Sequence, residues 1–269
     1  MSLTIFQVDA FTTKPFAGNP AGVCVLSRPA EESWMQNVAR EMNLSETAFL
    51  FREGDGFRLR WFTPAVEVDL CGHATLGSAQ ILFEKGYLDS QQTARFSTRS
   101  GWLCARQSNG WIELDFPAKP VSRPDHPAGI DEILGVKPVY IGLSQFDLLI
   151  EVSTPEEVYS ASPDFGKLKE VPVRGVIITS RSEKPEFDFI SRFFAPAVGV
   201  NEDPVTGSAH CVLTPYWSAK LGRTDLTAFQ ASQRGGILKL AMRKDRVLIS
   251  GQAVTVIAGD IQVGPTSLA

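Results

Sequence analysis

Long apolar runs are missing from this chain. None approaches the roughly 18 residues that a membrane-spanning helix needs. Cysteine is scarce, with four residues at positions 24, 71, 104 and 211 and no CxxC pair. Such spacing argues against a structural zinc site or a disulfide framework, and reduced thiols are expected. Positive charge is not in excess: Lys and Arg number 26 against 30 Asp and Glu, a net charge of −4. A global attraction to nucleic acid or to an anionic membrane is thereby disfavoured. The opening MSLTIFQVDAF lacks the basic start, apolar core and cleavage site of a signal peptide. Phosphate-loop, dinucleotide and nucleophile-elbow motifs are absent too, and Gly54-Asp55-Gly56 is a turn signal. The expectation is a cytoplasmic protein with neither membrane nor nucleic-acid partners.

What is present suits a globular protein with a substantial core: 43% hydrophobic and 21% charged residues. It also repeats. Arg60-Trp-Phe-Thr-Pro-Ala-Val-Glu-Val68 is echoed by Arg192-Phe-Phe-Ala-Pro-Ala-Val-Gly-Val200, 132 residues later. Gly77-Ser78-Ala79 is matched with Gly207-Ser208-Ala209 at an offset of 130, and Arg99-Ser-Gly-Trp-Leu103 with Arg234-Gly-Gly-Ile-Leu238 at 135. Three ordered matches near half the chain length predict a tandem duplication, since solenoid repeats run about 20–50 residues. The join is placed in the Pro-rich stretch 115–129, which gives domains of residues 1–118 and 119–269. The final strand is a candidate to complete the first domain.

Apolar periodicity predicts strands at 5–11, 22–26, 47–51 and 57–62 in the first half and a helix over 31–42, with Asn43 as its left-handed terminator. Residues 72–85 read as a helix that is apolar nearly all round and rich in small residues, hence buried. Its counterpart is expected to begin at Asp203-Pro204 and end near Gly222, with Pro215 kinking or interrupting it. Each half is therefore an α+β unit, a strand-rich sheet curled around one central helix.

Candidate chemistry gathers at the starts of the two buried helices, Cys71-Gly72-His73 and Asp203 to Ser208. Helix N-termini carry unpaired N–H groups and a partial positive charge, which favour an anion. If the duplication relates the halves by a pseudo-twofold axis, both starts can line one interdomain cleft suited to a small carboxylate. Taken singly, each residue has a structural reading as well. Asp203 before Pro204 has the form of a plain N-cap, His73 that of a hydrogen-bonding residue, and Glu46 that of a solvated carboxylate between a helix and a strand.

The strings Gly18-Asn-Pro-Ala21, Arg40-Glu-Met-Asn-Leu-Ser-Glu46, Trp61-Phe-Thr-Pro64, Cys71-Gly-His73 and Glu202-Asp-Pro-Val-Thr-Gly-Ser208 occur in order over nearly the whole chain. In these the chain resembles the PhzF-like family of phenazine biosynthesis. The resemblance implies the diaminopimelate-epimerase-like fold, a homodimer, and an isomerase that needs no metal or organic cofactor. It implies Glu46 as acid/base and His73 and Asp203 as polar residues that hold and polarise substrate. It also implies Asn19, Gly72, Gly207 and Ser208 as residues lining the site. The phenazine enzyme moves a proton between carbons of a dihydro-hydroxyanthranilate ring. Proton removal from carbon needs a nearby base and stabilisation of the developing charge.

Two departures are informative. The related epimerase uses two cysteines, one per central helix, whereas here Cys71 is paired with Asp203. Cys71 is followed by Gly-His-Ala-Thr, where the phenazine enzyme has a different residue before Gly-His and proline after it. The chain is thus grouped with the broader PhzF-like proteins. Three readings follow: a proton-shifting isomerase of a small carboxylated metabolite, with Cys71 a candidate secondary acid/base; a racemase or epimerase pairing Cys71 with a carboxylate; and a non-catalytic binding protein on the same fold.

Overall fold

Residues 3–122 and 127–265 are described by the computed structural model. Residues 123–126 of the Pro-rich join lie outside the described residues. The chain divides into two units, one reaching Asp115 and taken up again from Ser250, the other Phe116–Ile249.

In the first unit Leu3–Ala10 (β1) and Asn19–Leu26 (β2) pair antiparallel. The helix Glu32–Met42 (α1) buries Trp34, Met35 and Ala39 and stops at Asn43, whose φ of 49° is left-handed. It is the crossover that returns the chain to Glu46–Glu53 (β3), parallel to β2, because parallel neighbours cannot be joined by a tight turn. Gly56–Phe62 (β4) follows antiparallel, with the short Glu67–Val68 (β5) on its edge. A second crossover, the helix Gly72–Glu84 (α2), leads to Thr93–Thr98 (β6), parallel to β4. Gly101–Ser108 (β7) and Trp111–Pro117 (β8) complete a meander.

Both faces of β2 and of the first part of β3 are covered, so these strands are apolar on both sides. Cys24, Leu26 and Phe49 join Trp34 and Met35 in the cluster beneath α1. The alternate residues of β2, including Val23, face α2 at Gly77, where a Cβ would lie in ordinary contact, 3.5 Å from Val8 and 3.7 Å from Val23. Leu76, Ile81 and Leu82 of α2 are fully buried, each stabilising the unit by roughly 1.5–3 kcal/mol.

The second unit contains Ile130–Leu134 (α3), Pro138–Leu143 (β9), Asp147–Val152 (β10), Pro155–Ser160 (α4), Phe165–Lys169 (α5), Gly175–Arg181 (β11) and Phe189–Phe194 (β12). Gly207–Leu221 (α6), Asp225–Gln230 (β13), Gly236–Arg243 (β14) and Arg246–Gly251 (β15) follow. The pairing senses from β9 to β14 run antiparallel, parallel, antiparallel, parallel, antiparallel. They are the senses of β1 through β7, omitting β5, in the same order. The two units therefore share one topology, each an α+β sheet packed around a central helix, α2 or α6. Ala253–Ile261 (β16) pairs antiparallel with β1. Among the described residues no helix is long and apolar enough to cross a membrane.

Three expectations are corrected. The helix α6 begins at Gly207, not at Asp203-Pro204, and its N-cap is Thr206. The counterpart of Gly72 is consequently Gly207, an offset of 135, so the match of Gly77 with Gly207 was shifted by five residues. Nor does Pro215 interrupt α6, which runs unbroken to Leu221. Proline deprives the carbonyl four residues back of its donor, and here that carbonyl, Cys211 O, accepts from the backbone N–H of Lys119 at 2.9 Å.

The repeated Arg-x-Phe motif is one device used twice. Arg60 lies over the Phe62 ring and bonds both oxygens of Glu67, at 2.7 and 2.6 Å. Arg192 lies over Phe194, bonds both oxygens of Glu202 at 2.7 and 3.0 Å, and donates to the carbonyls of Val158, Tyr159 and Ala161 at the end of α4. A lysine cannot reproduce that planar fork. Arg192→Lys is expected to cost about 2 kcal/mol in urea unfolding, and a loss below about 0.5 kcal/mol would contradict this role.

Candidate active site

In the first unit a turn sets the site's first residue. Gly18 has φ 64°, and a Cβ there would lie 2.1 Å from the carbonyl oxygen of Ala10, so no other residue fits. The next residue, Asn19, opens β2 and is completely buried. Asn19 and Ala21 share one face of β2, and Ala21 is paired with Glu46, the first residue of β3. Asn19 and Glu46 therefore project to the same side of the sheet, the side on which α2 packs.

There α2 presents its N-terminus. Cys71 is the N-cap in extended conformation, its side chain makes no capping bond, and no acidic residue lies in the first turn. His73 is buried in that turn. Its Nε2 lies 3.2 Å from Glu46 Oε2 and its Nδ1 lies 3.5 Å from Cys71 Sγ. Burial pushes the imidazole down to about 4, with a hydrogen bond to the Pro20 carbonyl opposing only in part. The ring is therefore neutral at pH 7, one nitrogen donating and the other accepting. The ring's one N–H is the donor to the Pro20 carbonyl, so Glu46 is a close neighbour of the neutral ring and is not ion-paired to it. Donor atoms of Glu46, Cys71 and His73 lie within 4.8 Å of one another, close enough to be candidate ligands of one metal ion.

The corresponding place in the second unit is built differently. Asp203 is not the N-cap of α6; its Oδ2 accepts from Thr206 Oγ1 at 2.5 Å. Gln230, fully buried on β13, holds this loop by accepting from Thr206 N at 2.8 Å and donating to Asp203 O at 2.8 Å and Thr206 Oγ1 at 3.1 Å. Because Gln230 takes the Thr206 N–H, Asp203 is not needed there as a cap. Ser208 Oγ accepts from Arg174 at 3.0 Å, and Arg174 is in turn held by both oxygens of the buried Asp147. Gly175 occupies the first position of β11, as Glu46 does in β3. A Cβ on Gly175 would fall 2.3 Å from the Phe193 ring, so that place is filled by an aromatic side chain and has no carboxylate.

Of the residues expected from the sequence, Glu46, His73, Cys71, Gly72 and Asn19 gather in the first unit around the start of α2. Asp203, Gly207 and Ser208 stand at the start of α6. Thr206, Gln230, Arg174 and Asp147 were missed. Thr206 was legible, because Thr206-Gly-Ser-Ala209 lines up with Cys71-Gly-His-Ala74 at the offset of 135 already present in the Arg99 and Arg234 match. The counterpart of Cys71 is thus Thr206 and not Asp203. The other three carry no local signal.

The family model for phenazine biosynthesis-like proteins matches residues 8–259. The chain belongs to the PhzF-like family. A relative named as an uncharacterized isomerase, from Halalkalibacterium halodurans, is 52% identical over 97% of this chain and 99% of its own length. The crystal structure of a PhzF-family phenazine biosynthesis protein from Enterococcus faecalis superposes with a TM-score of 0.94 at 42% identity, covering 98% of this chain and 100% of that one. A hydroxyproline epimerase from Agrobacterium vitis, 10% identical with a TM-score of 0.63 over 97% of this chain and 92% of that one, shares the fold alone. This PhzF-like chain is an isomerase on an epimerase-like α+β fold.

The PhzF-like isomerase buries a second histidine, His210, whose Nδ1 lies 2.8 Å from Thr206 O and which burial also pushes down to about 4. Between pH 4 and the unfolded value of 6.5 the unfolded chain binds more protons than the folded one, so stability rises with pH across that window. By pH 4 each ring costs about 3 kcal/mol. Urea unfolding at pH 7 and pH 5 is expected to show the loss at the lower pH. His210→Phe should shrink that difference while lowering stability at pH 7. An unchanged difference in the variant would refute the assignment to His210.

Proposed function

We propose that Glu46 takes a proton from one carbon of a small carboxylated metabolite and returns it to another, without a metal or organic cofactor. The contact that carries this reading is the 3.2 Å approach of His73 Nε2 to Glu46 Oε2 at the start of a buried helix. A positively charged partner would hold the carboxylate ionised, and a neutral imidazole does not. Glu46 can then act as base and, once protonated, as acid. His73 packs beside the carboxyl at the start of α2. Asn19 and the N–H groups at the start of α2 stand on the same side of the sheet and suit the substrate's polar groups and developing charge.

The family resemblance implies Asp203, Gly207 and Ser208 as further residues that hold substrate. The substrate class implied by the family resemblance is a cyclic, dihydro-hydroxyanthranilate-like acid. A two-thiol racemase is disfavoured, because Thr206 stands where the second cysteine would be.

Turnover in D₂O should place deuterium on carbon with a shifted double bond. Glu46→Gln should lower that exchange by about 10²–10⁴-fold, the usual contribution of a general acid/base. Inversion at a single stereocentre that is lost in Cys71→Ala and kept in Glu46→Gln would replace this mechanism with the racemase.

A further inference from the structure

The cluster of Glu46, Cys71 and His73 brings a carboxylate, a thiol and an imidazole together, a set of donors that proton transfer by Glu46 does not require. We propose that these three side chains form a binding site for a soft divalent cation such as Zn²⁺, and that occupancy switches the isomerase off. The binding claim stands on the geometry alone. The inhibitory consequence rests on the reading of Glu46 as acid/base.

Zinc is held by Cys sulfur at about 2.3 Å, by His nitrogen at about 2.0 Å and by carboxylate oxygen at about 2.0–2.2 Å, usually tetrahedrally. The 3.5 Å between Cys71 Sγ and His73 Nδ1 is the separation that two such bonds span at a nearly tetrahedral angle. The third donor comes from Glu46, since one ligand atom from each residue falls within a common 4.8 Å. Glu46 approaches His73 on the Nε2 side, at 3.2 Å, so a side-chain rotation of this partly exposed glutamate must bring its oxygen round to an ion held by Nδ1 and Cys71. A neutral imidazole is the form that coordinates. Thiolate and imidazole together select zinc over the hard cations magnesium and calcium.

The exchange balances simply. Cys71 S–H loses its proton to solvent as the sulfur–metal bond forms, and the resulting thiolate and the Glu46 carboxylate offset the two positive charges of the ion. Three protein ligands leave a fourth position for water. The Glu46 lone pair that would accept a carbon-bound proton is then engaged by the metal, so Zn²⁺ competes with catalysis.

The test is a titration of the full chain with Co²⁺, which reports thiolate ligation by a near-ultraviolet charge-transfer band. It is run on Cys104→Ser protein so that the exposed thiol does not contribute. One equivalent of Co²⁺ should raise the band and Zn²⁺ should displace it, following the usual affinity order. Cys71→Ser should abolish the band, and His73→Asn should weaken Zn²⁺ binding by at least the roughly 10–100-fold that loss of even an outer partner costs. Zn²⁺ should also raise the melting temperature of the parent and leave that of Cys71→Ser unchanged, which separates lost binding from lost folding. Absence of a band, or a band that survives Cys71→Ser, overturns the site. A band with proton exchange undiminished at saturating Zn²⁺ keeps the site and overturns its inhibitory role, which would in turn count against Glu46 as the acid/base.

Discussion

A helix with no polar face can persist in water only if something sheathes it on every side, and the rest of this structure follows from that constraint. Nine of the thirteen residues of α2 are buried, including Gly77, Ser78 and Ala79, where a larger residue would hold the sheet away. The surrounding strands come from the βαβ crossovers that α1 and α2 themselves create. Hydroxyls inside the sheath are satisfied by the helix's own carbonyls: Thr75 donates to Cys71 O and Ser78 to Ala74 O. The same solution serves α6, where His210 meets the N-cap carbonyl in place of Thr75.

Sheathing the body of a helix concentrates its unsatisfied groups at the ends. The first-turn N–H groups of α2 and the residues beside them are then the polar part of an otherwise apolar element. The low proton affinity of His73 is a consequence of the same burial. A neutral ring beside a carboxyl leaves it free to gain or lose a proton, whereas an exposed, charged one would fix the carboxylate as an anion. Packing and chemistry have one cause here.

Duplication copied the scaffold and not the chemistry. The Arg-x-Phe device survives in both units with the same bidentate glutamate, because it holds strand and loop together and any loss is paid in stability. The position of Glu46 survives only once. In the second unit it is glycine under the Phe193 ring, and the polar group nearest in the chain, Arg174, is committed to Asp147 and Ser208. The start of α6 is a hydrogen-bonded clamp built on Gln230, while the start of α2 groups ionisable side chains.

Much of the fold was legible in the sequence because it is written in short-range patterns. Strand alternation, the left-handed stop at Asn43, the all-round apolar helix and the repeated Arg-x-Phe stretch each depend on neighbours a few residues apart. Where only local form was read, it misled. Asp203-Pro204 looks like a helix start and Pro215 like a helix break. The backbone N–H of Thr206 goes to Gln230, however, and the Cys211 carbonyl freed by Pro215 goes to Lys119, partners 24 and 92 residues away. The sequence alone determined the family, the repeat and the candidate residues Glu46, His73 and Asp203, through residue types in a fixed order. Only the tertiary structure decided that Glu46, Cys71 and His73 meet and that the ring between them is neutral. A distance between side chains on different elements, and the desolvation that sets a proton affinity, exist only once the chain has packed.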